Sequence, residues 1–402
     1  MSDATVFIPR RVRAQAFMPQ CSIKTDVAIV HRSRWGKMEK SDTQKDRLLM
    51  THQKWLEDPP QGSRTTEDLQ IALRHRIREV LLPLIAGRGE RIHLIDPPEH
   101  PNVGDCAILL GELDFFKREL PGSQVAFHDW STYSPSSDRH IERASVLLMH
   151  GGGNFGDIYP HHHEFRLKIL RRFPNRPTIQ LSQSIHFDSP AVLQETRDAI
   201  AAHSDFTLLA RDTKSEAFAR ANFDCQVVLC PDMAFAMDRI VRKPANVDAF
   251  CLLRTDKEAV APHEEIKRQL NQMGLSAEAR DWLDDPRTAA RLADILFSKF
   301  TRKVPVAYPL LAPLALIARR RYAETRLRVG IDLLSRGRIV VTDRLHAHIL
   351  STLLGIPNVV FRSFDAKAAA FYDTWTHAAP ICRLADGPAD MVHAVQAVMP
   401  PK

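Results

Sequence analysis

The stretch Leu147–His163, LLMHGGGNFGDIYPHHH, decides how this chain is read. It opens as a buried strand and runs into glycines whose positions 151, 153 and 156 fit G-x-G-x-x-G, the dinucleotide fingerprint. A nicotinamide or flavin site needs that fingerprint after the first strand of its block. It also needs an acid about 20 residues on to hold the ribose. Here the loop follows the third strand, and the next strand, TIQLSQ (178–183), runs out into Gln183 and Ser184 with no carboxylate. The spacing argues against NAD and FAD, and no cofactor is expected. What remains is a strand-end loop of Gly151, Gly152, Gly153, Asn154 and Asp157. Its backbone N–H groups, next to a helix start, are expected to be open to an anion or to sugar hydroxyls.

Outward from this loop, short apolar runs alternate with helical stretches. Strands are predicted at 92–96, 124–128, 145–149, 178–183, 206–210 and 226–230, with helices at 104–120, 162–173, 191–203 and 213–221 between them. A second alternating block begins near 248, with helices around 262–274, 286–300 and 324–337. It ends in strand 338–342, helix 345–355 and strand 358–361. Such alternation predicts an α/β fold with parallel sheets covered on both faces. The expected division is a basic, loosely ordered extension (1–74), a Rossmann-like domain (75–240) and a second one (241–402). A helix opens near Thr66, read as its cap. Ligands in such sheets bind at the carboxyl ends of strands, so two facing domains place the site in the cleft between them.

Several strand ends carry chemistry. N-V-G-D (102–105) repeats the pattern of N-F-G-D (154–157), placing Asn102, Gly104 and Asp105 before a helix. QLSQSIHF supplies Gln183, Ser184 and His186, and LLARDTKS supplies Arg211 and Asp212. In the second block, VVTDRLHAHIL brings Thr342, Asp343, Arg344 and His346 to a strand-to-helix junction, with His348 further along the helix as a structural residue. An arginine at a strand tip can fork onto a carboxylate or phosphate, and a histidine can move protons near neutral pH.

The ordered set NVGD, HGGGNFGD, QSIHF, ARD-x-x-S, PDMAF and VTDRLHAHIL, over roughly residues 90–380, resembles the polysaccharide pyruvyl transferases of bacterial exopolysaccharide synthesis. The resemblance implies two Rossmann-like domains in a GT-B-like arrangement. It also implies transfer of a pyruvyl group from phosphoenolpyruvate to a sugar diol as a cyclic ketal, with release of phosphate. Carried over by motif, the catalytic set falls on Arg344, His346, Arg211 and His186. The loop before FYDTWT reads FRSFDAK, keeping only Lys367 of the pattern seen in close relatives. The rival reading with the same fold is a GT-B glycosyltransferase using a nucleotide-sugar.

The 402 residues carry a net charge of +7, which favours an anionic partner. Aromatics make up 7%, with no basic stripe interleaved among them, so no nucleic-acid platform is expected. Six scattered cysteines without a C-x-x-C pair suggest free thiols in a reducing, cytoplasmic compartment. Tyr159–His163 looks like a metal patch, but adjacent histidines cannot share one ion, and no metal is expected. The run Val304–Tyr322, VPVAYPLLAPLALIARRRY, is apolar and ends in three arginines. Its three prolines argue against a continuous helix. Two roles fit it: peripheral docking to an anionic membrane, where a lipid-linked acceptor would reside, or a buried interdomain segment.

Overall fold

The structure is a computed structural model that describes residues 65–254, 263–282, 288–304, 308–362 and 366–399. The extension expected over 1–74 therefore lies outside the described residues up to residue 64. From Thr66 the chain is helical: α1 spans Thr66–Ile85, and its cap is Thr65 rather than Thr66. Thr65 and Asp68 exchange side-chain and backbone hydrogen bonds, satisfying two amides that a helix start leaves open.

Seven strands form the first sheet: β1 (Arg91–Ile95), β2 (Gln124–His128), β3 (Val146–Met149), β4 (Gly152–Gly156), β5 (Thr178–His186), β6 (Phe206–Ala210) and β7 (Gln226–Leu229). Their order is β2-β1-β3-β5-β6-β7, with β4 pairing with β5, and every pairing is parallel. Helices α2 (Val103–Glu119), α3 (Pro160–Arg172), α4 (Pro190–Ala201) and α5 (Thr213–Asn222) connect them. The second sheet holds β8 (Val247–Leu252), β9 (Ala277–Arg280), β10 (Gly337–Thr342), β11 (Asn358–Phe361) and β12 (Cys382–Ala385) in the parallel order β12-β11-β10-β8-β9. Strands such as VLLM and FTLLA are buried at every residue, as expected of parallel sheets with helices on both faces. This is the α/β architecture of two Rossmann-like units expected from the alternation.

Register brings the carboxyl ends together. Ile95 lies opposite His128 and Met149, Ala210 opposite Leu229, and Thr342 opposite Leu252 and Val360. Three strands were not read from the sequence: β4, β9 and β12. β9 (AEAR) and β12 (CRLA) are short edge strands without an apolar run, so they carry no periodic signal.

The helices of the second block are α6 (His263–Gln272), α7 (Ala289–Lys303), α8 (Tyr308–Leu334), α9 (Leu345–Leu353), α10 (Lys367–Phe371) and α11 (Pro388–Val398). α8 corrects the expectation for 304–322: from Tyr308 onward the segment is one 27-residue helix. Pro309 occupies the first turn, where a missing N–H costs nothing, and Pro313 removes one backbone bond in the second. Tertiary anchors outweigh that loss. The Phe127 amide donates to Tyr308 Oη at 3.0 Å, and Arg319, buried in the protein, pairs with Asp129 (2.9 Å) and Asp294 (2.6 Å). α8 thus follows the second sheet's opening strands in sequence yet packs on α2 and β2 of the first sheet.

Candidate active site

Side chains from both sheets line one cavity of about 280 Å³. After β1, Asn102 caps α2: its Oδ1 accepts the Gly104 amide at 3.0 Å while its Nδ2 donates to Asp105 at 2.7 Å. After β6 comes Arg211, followed by Asp212, whose carboxylate accepts the Ser215 amide and starts α5. After β10, Thr342 Oγ1 accepts the Arg344 amide at 3.0 Å, and His346 stands in the first turn of α9. Lys367 opens α10 on the far wall.

The two sheets meet at Asp232. Arg211 donates from Nη1 to Asp232 Oδ2 at 2.9 Å, and His346 Nε2 lies 3.4 Å from the same oxygen. Burial alone would raise the Asp232 carboxyl, but its contacts with His346 and Arg211 hold it well below the usual carboxylate range. Arg211 also donates from Nε and Nη2 to Ser184 Oγ (3.2 and 3.0 Å), and Ser184 donates to Asp212 at 2.6 Å. Trp375 Nε1 holds the Arg211 carbonyl at 2.7 Å. A guanidinium has five N–H donors; these contacts occupy three and leave two for the cavity.

Two buried donors around the cavity have no hydrogen-bond partner among the described residues, Arg344 Nε and Trp282 Nε1, and His346 Nε2 has only the long 3.4 Å approach to Asp232. Leaving a buried donor unsatisfied costs about 1–3 kcal/mol each, so such a cluster marks a place built for an acceptor-rich ligand. Arg344 is otherwise fixed by Asp281, at 2.7 Å. Arg254 and Lys367 add positive charge to the same cavity.

The strand-end residues named from sequence divide into two groups. Arg211, Arg344, His346, Asn102, Asp105, Gly153, Asn154 and Lys367 line the cavity. Gly104, Gly151, Gly152, Asp157, Gln183, Ser184 and His186 do not, and several have visible structural work. A Cβ on Gly104 would lie 2.3 Å from His346 Nδ1, so the missing side chain is what admits the imidazole. Gln183 donates to Asn154 Oδ1 (2.9 Å) and accepts its amide (3.3 Å), holding that residue at the wall. Asp157 accepts the amides of Asp188 and Ser189 (2.9 and 2.6 Å), and His186 pairs with Asp188 at 3.0 Å on a half-exposed surface.

The glycine loop is also not the open row of amides expected. The Gly151 amide is spent on Glu112 (3.0 Å), that of Asn154 on Gln183, and that of Gly156 on His163 Nδ1 (3.2 Å). Its residues instead form β4 along the end of β5. Gly156 is required there by its φ of +129° and because a Cβ would strike the His186 carbonyl.

Sequence reasoning did not single out His100, Arg254 or Trp282, and all three line the cavity; so do Asp343, named at its strand end, and His162, which with His163 was expected at a polar helix start lining the cleft. The three adjacent histidines point three ways: His161 stacks on Trp130, His163 is buried against Thr196, and His162 enters the cavity. His162 Nδ1 bonds both oxygens of Asp96 at 3.0 Å. Asp96, in the left-handed region at φ 63°, is gripped by the buried Arg166 at 3.1 Å. Burial pulls the His162 imidazole down, but the Asp96 bond overcomes it and raises the group above its ordinary value. The Asp105 carboxyl is pushed up by burial, yet His100, His346, His150 and Arg211 together leave it lowered. Asp343 goes the other way: burial lifts it, and its bond from the Arg254 amide offsets only part of that. The cavity therefore offers imidazoles on both walls, a carboxylate held ionised and a carboxyl biased toward its protonated form. These are the parts of acid–base chemistry on a ligand held by cations.

The family model for polysaccharide pyruvyl transferase matches residues 102–363, which span every cavity-lining residue except His100, Lys367 and Ala368. The chain belongs to the polysaccharide pyruvyl transferase family. It is 33% identical over 303 residues to Pyruvyl transferase 1 of Schizosaccharomyces pombe, covering 72% of this chain and 70% of that protein. It is 32% identical over 324 residues to EpsO of Bacillus subtilis, also named as a pyruvyl transferase, covering 78% of this chain and 94% of that one. Among solved structures, the Escherichia coli heptosyltransferase WaaC with ADP is similar at 12% identity and a TM-score of 0.31, covering 76% of this chain and 98% of that one. As a family member the chain is a transferase acting in pyruvyl transfer to polysaccharide.

Proposed function

We propose that this transferase takes its pyruvyl group from phosphoenolpyruvate and places it on two hydroxyls of a saccharide, with a lipid-linked polysaccharide precursor as acceptor. The observation that carries the reading is the ring of cationic and unpartnered donor groups from both sheets around one small cavity. Phosphoenolpyruvate is a compact dianion or trianion with a carboxylate at one end and a phosphate at the other. Arg211 and Arg344, each already fixed by a carboxylate, present the remaining guanidinium donors to those groups without a further loss of side-chain freedom.

In the proposed sequence His346, resting against Asp232, delivers a proton to the methylene carbon. An acceptor hydroxyl attacks the central carbon and loses its proton to His162 or Asp105. The second hydroxyl then displaces phosphate: the new C–O bond closes the ketal, the C–O bond to phosphate breaks, and the hydroxyl proton leaves on the departing phosphate, while the proton taken by the base returns His346 to its starting state through solvent. Cations at Arg254, Arg344 and Lys367 would stabilise the departing phosphate. The cytoplasmic placement expected from the cysteines belongs to this proposal. The described cysteines, five of them, are free thiols.

The test is phosphate release from phosphoenolpyruvate with candidate lipid-linked saccharides, together with product mass. The expected product gains the mass of a pyruvyl ketal, and Arg344→Ala and His346→Ala each abolish turnover. Near-wild-type turnover in both variants would overturn the assignment. Tight nucleotide-sugar binding with no reaction of phosphoenolpyruvate would replace it with glycosyl transfer.

A further inference from the structure

α7 and α8 form an antiparallel hairpin whose outer face is unusually apolar. Cross-ties set the register: Arg291 lies over the Tyr322 ring, and Arg319 reaches Asp294 and Ser298. On α7 the exposed stripe is Leu292, Leu296 and Phe300; on α8 it is Leu310, Leu314 and Ile317. These recur at i, i+4, i+8 and at i, i+4, i+7, so each set occupies one helix face. Leu310 is 82% exposed and Leu296 66%, values that belong to side chains directed into solvent. Six such residues on two neighbouring helices exceed the scattered apolar exposure of an ordinary surface.

The charge that α7 and the first half of α8 themselves carry on this face is positive, although Lys303 shares a surface pocket with Asp138 and Glu142. Lys299, Lys303 and Arg321 are exposed beside the stripes. Between Ala289 and Arg321 the sequence contains a single acid, Asp294, and it is buried on Arg319. Of the three arginines that end the apolar run, Arg319 is internal and Arg320 is tied to Asp114 and Glu324, which leaves Arg321 to face outward. A two-fold contact between copies of the chain would set Lys299 and Arg321 against their own kind, with Asp138 and Glu142 at the Lys303 end as the nearby acids. An anionic bilayer satisfies both features at once: acyl chains for the leucines and headgroup charge for the lysines.

We infer that the α7–α8 hairpin is a docking surface for an anionic lipid bilayer. The hairpin also supports the cavity wall. Arg291 bonds the Glu99 carbonyl, Arg319 the Pro98 carbonyl (2.9 Å) and Arg326 the Pro101 carbonyl (2.8 Å), along the loop that carries His100 and leads to Asn102. Docking would set that wall beside the membrane. No described helix is long and apolar enough to cross one, so contact would be interfacial.

Flotation of the full chain with vesicles of phosphatidylglycerol and phosphatidylcholine, against phosphatidylcholine alone, tests this. The expected result is co-flotation with the anionic vesicles only, weakened by salt. Leu296→Asp with Leu310→Asp should reduce the bound fraction at least tenfold, with circular dichroism and thermal midpoint unchanged. Lys299→Glu with Lys303→Glu, which leaves the apolar stripe intact, should also reduce it. Absence of flotation, or equal flotation of wild type and both double variants, overturns the proposal. So does a wild-type dimer that the leucine substitutions dissociate, because a second copy would then own the face. Turnover of phosphoenolpyruvate with a soluble acceptor should be unaffected by either double variant, which separates this proposal from the assignment of the cavity.

Discussion

Gly104 sits where one methyl group decides whether His346 can stand in the cleft. Any side chain at this position must push the imidazole away from Asp232 and from its place in the cavity. Misplacing a reacting group by an ångström costs roughly 100-fold in rate, while a helix start accepts alanine readily. Gly104→Ala is therefore expected to lower kcat about 100-fold with a thermal midpoint close to wild type; unchanged kcat would show that the imidazole position is immaterial. At this scale the sequence was informative about which residues reach the cavity from a strand tip, as for Arg211, Arg344 and His346. It was uninformative where the role depends on direction. Nothing in Tyr159–His163 says that His162 turns inward while His161 and His163 turn away. Nor does PDMAF reveal that its Asp232 is the counterion shared by an arginine 21 positions earlier and a histidine from the other sheet.

The β6–α5 corner behaves as a unit: Arg211, Ser184, Asp212 and Asp232 form one buried hydrogen-bonded chain. Removing one member of a buried ion pair leaves the other charge uncompensated. Asp232→Ala is thus expected to cost about 3–5 kcal/mol in urea unfolding, whereas replacing both members, Arg211→Met with Asp232→Leu, should recover most of the stability with no activity. A small loss in the single variant would mean that Arg211 finds other partners. The strands and helices that carry this corner were readable from apolar periodicity alone, because β5, β6 and β7 are buried on both faces. The edge strands β9 and β12 were not, and α8 was read only in its second half, as the helix near 324–337; over 304–322 proline counting pointed the wrong way. Local propensity there is overruled by the Tyr308 and Arg319 anchors on the first sheet.

At the scale of the whole fold, His93, His128, His163 and His348 are among the histidines of the described residues that are locked inside without charge. His93 and His128 stack with Nε2 and Nδ1 2.8 Å apart, below Tyr308 and near His140. His348 is held by Asn358 and Thr376, and His163 by Thr196 and the Gly156 amide. Burial depresses all four, His128 to about 3 and His348 and His163 to about 4, with His93 well below its usual value. Because the unfolded chain binds these protons first, their stabilisation is complete above pH 6.5. It fades as pH falls from there toward 4, by up to about 1.4 kcal/mol per pH unit for each group. Urea midpoints at pH 7, 5.5 and 4.5 should fall steeply, and the slope should flatten in His348→Gln; a flat profile in the wild type would contradict it. The long helix α8 has one more consequence. Although it is encoded after the start of the second sheet, it roofs the first, so a gene cut at residue 240 would yield all seven strands and no lid over Phe127 and Asp129. The amino-terminal half is therefore not expected to stand alone: expressed separately it should precipitate, and adding the missing half in trans should restore it to solution.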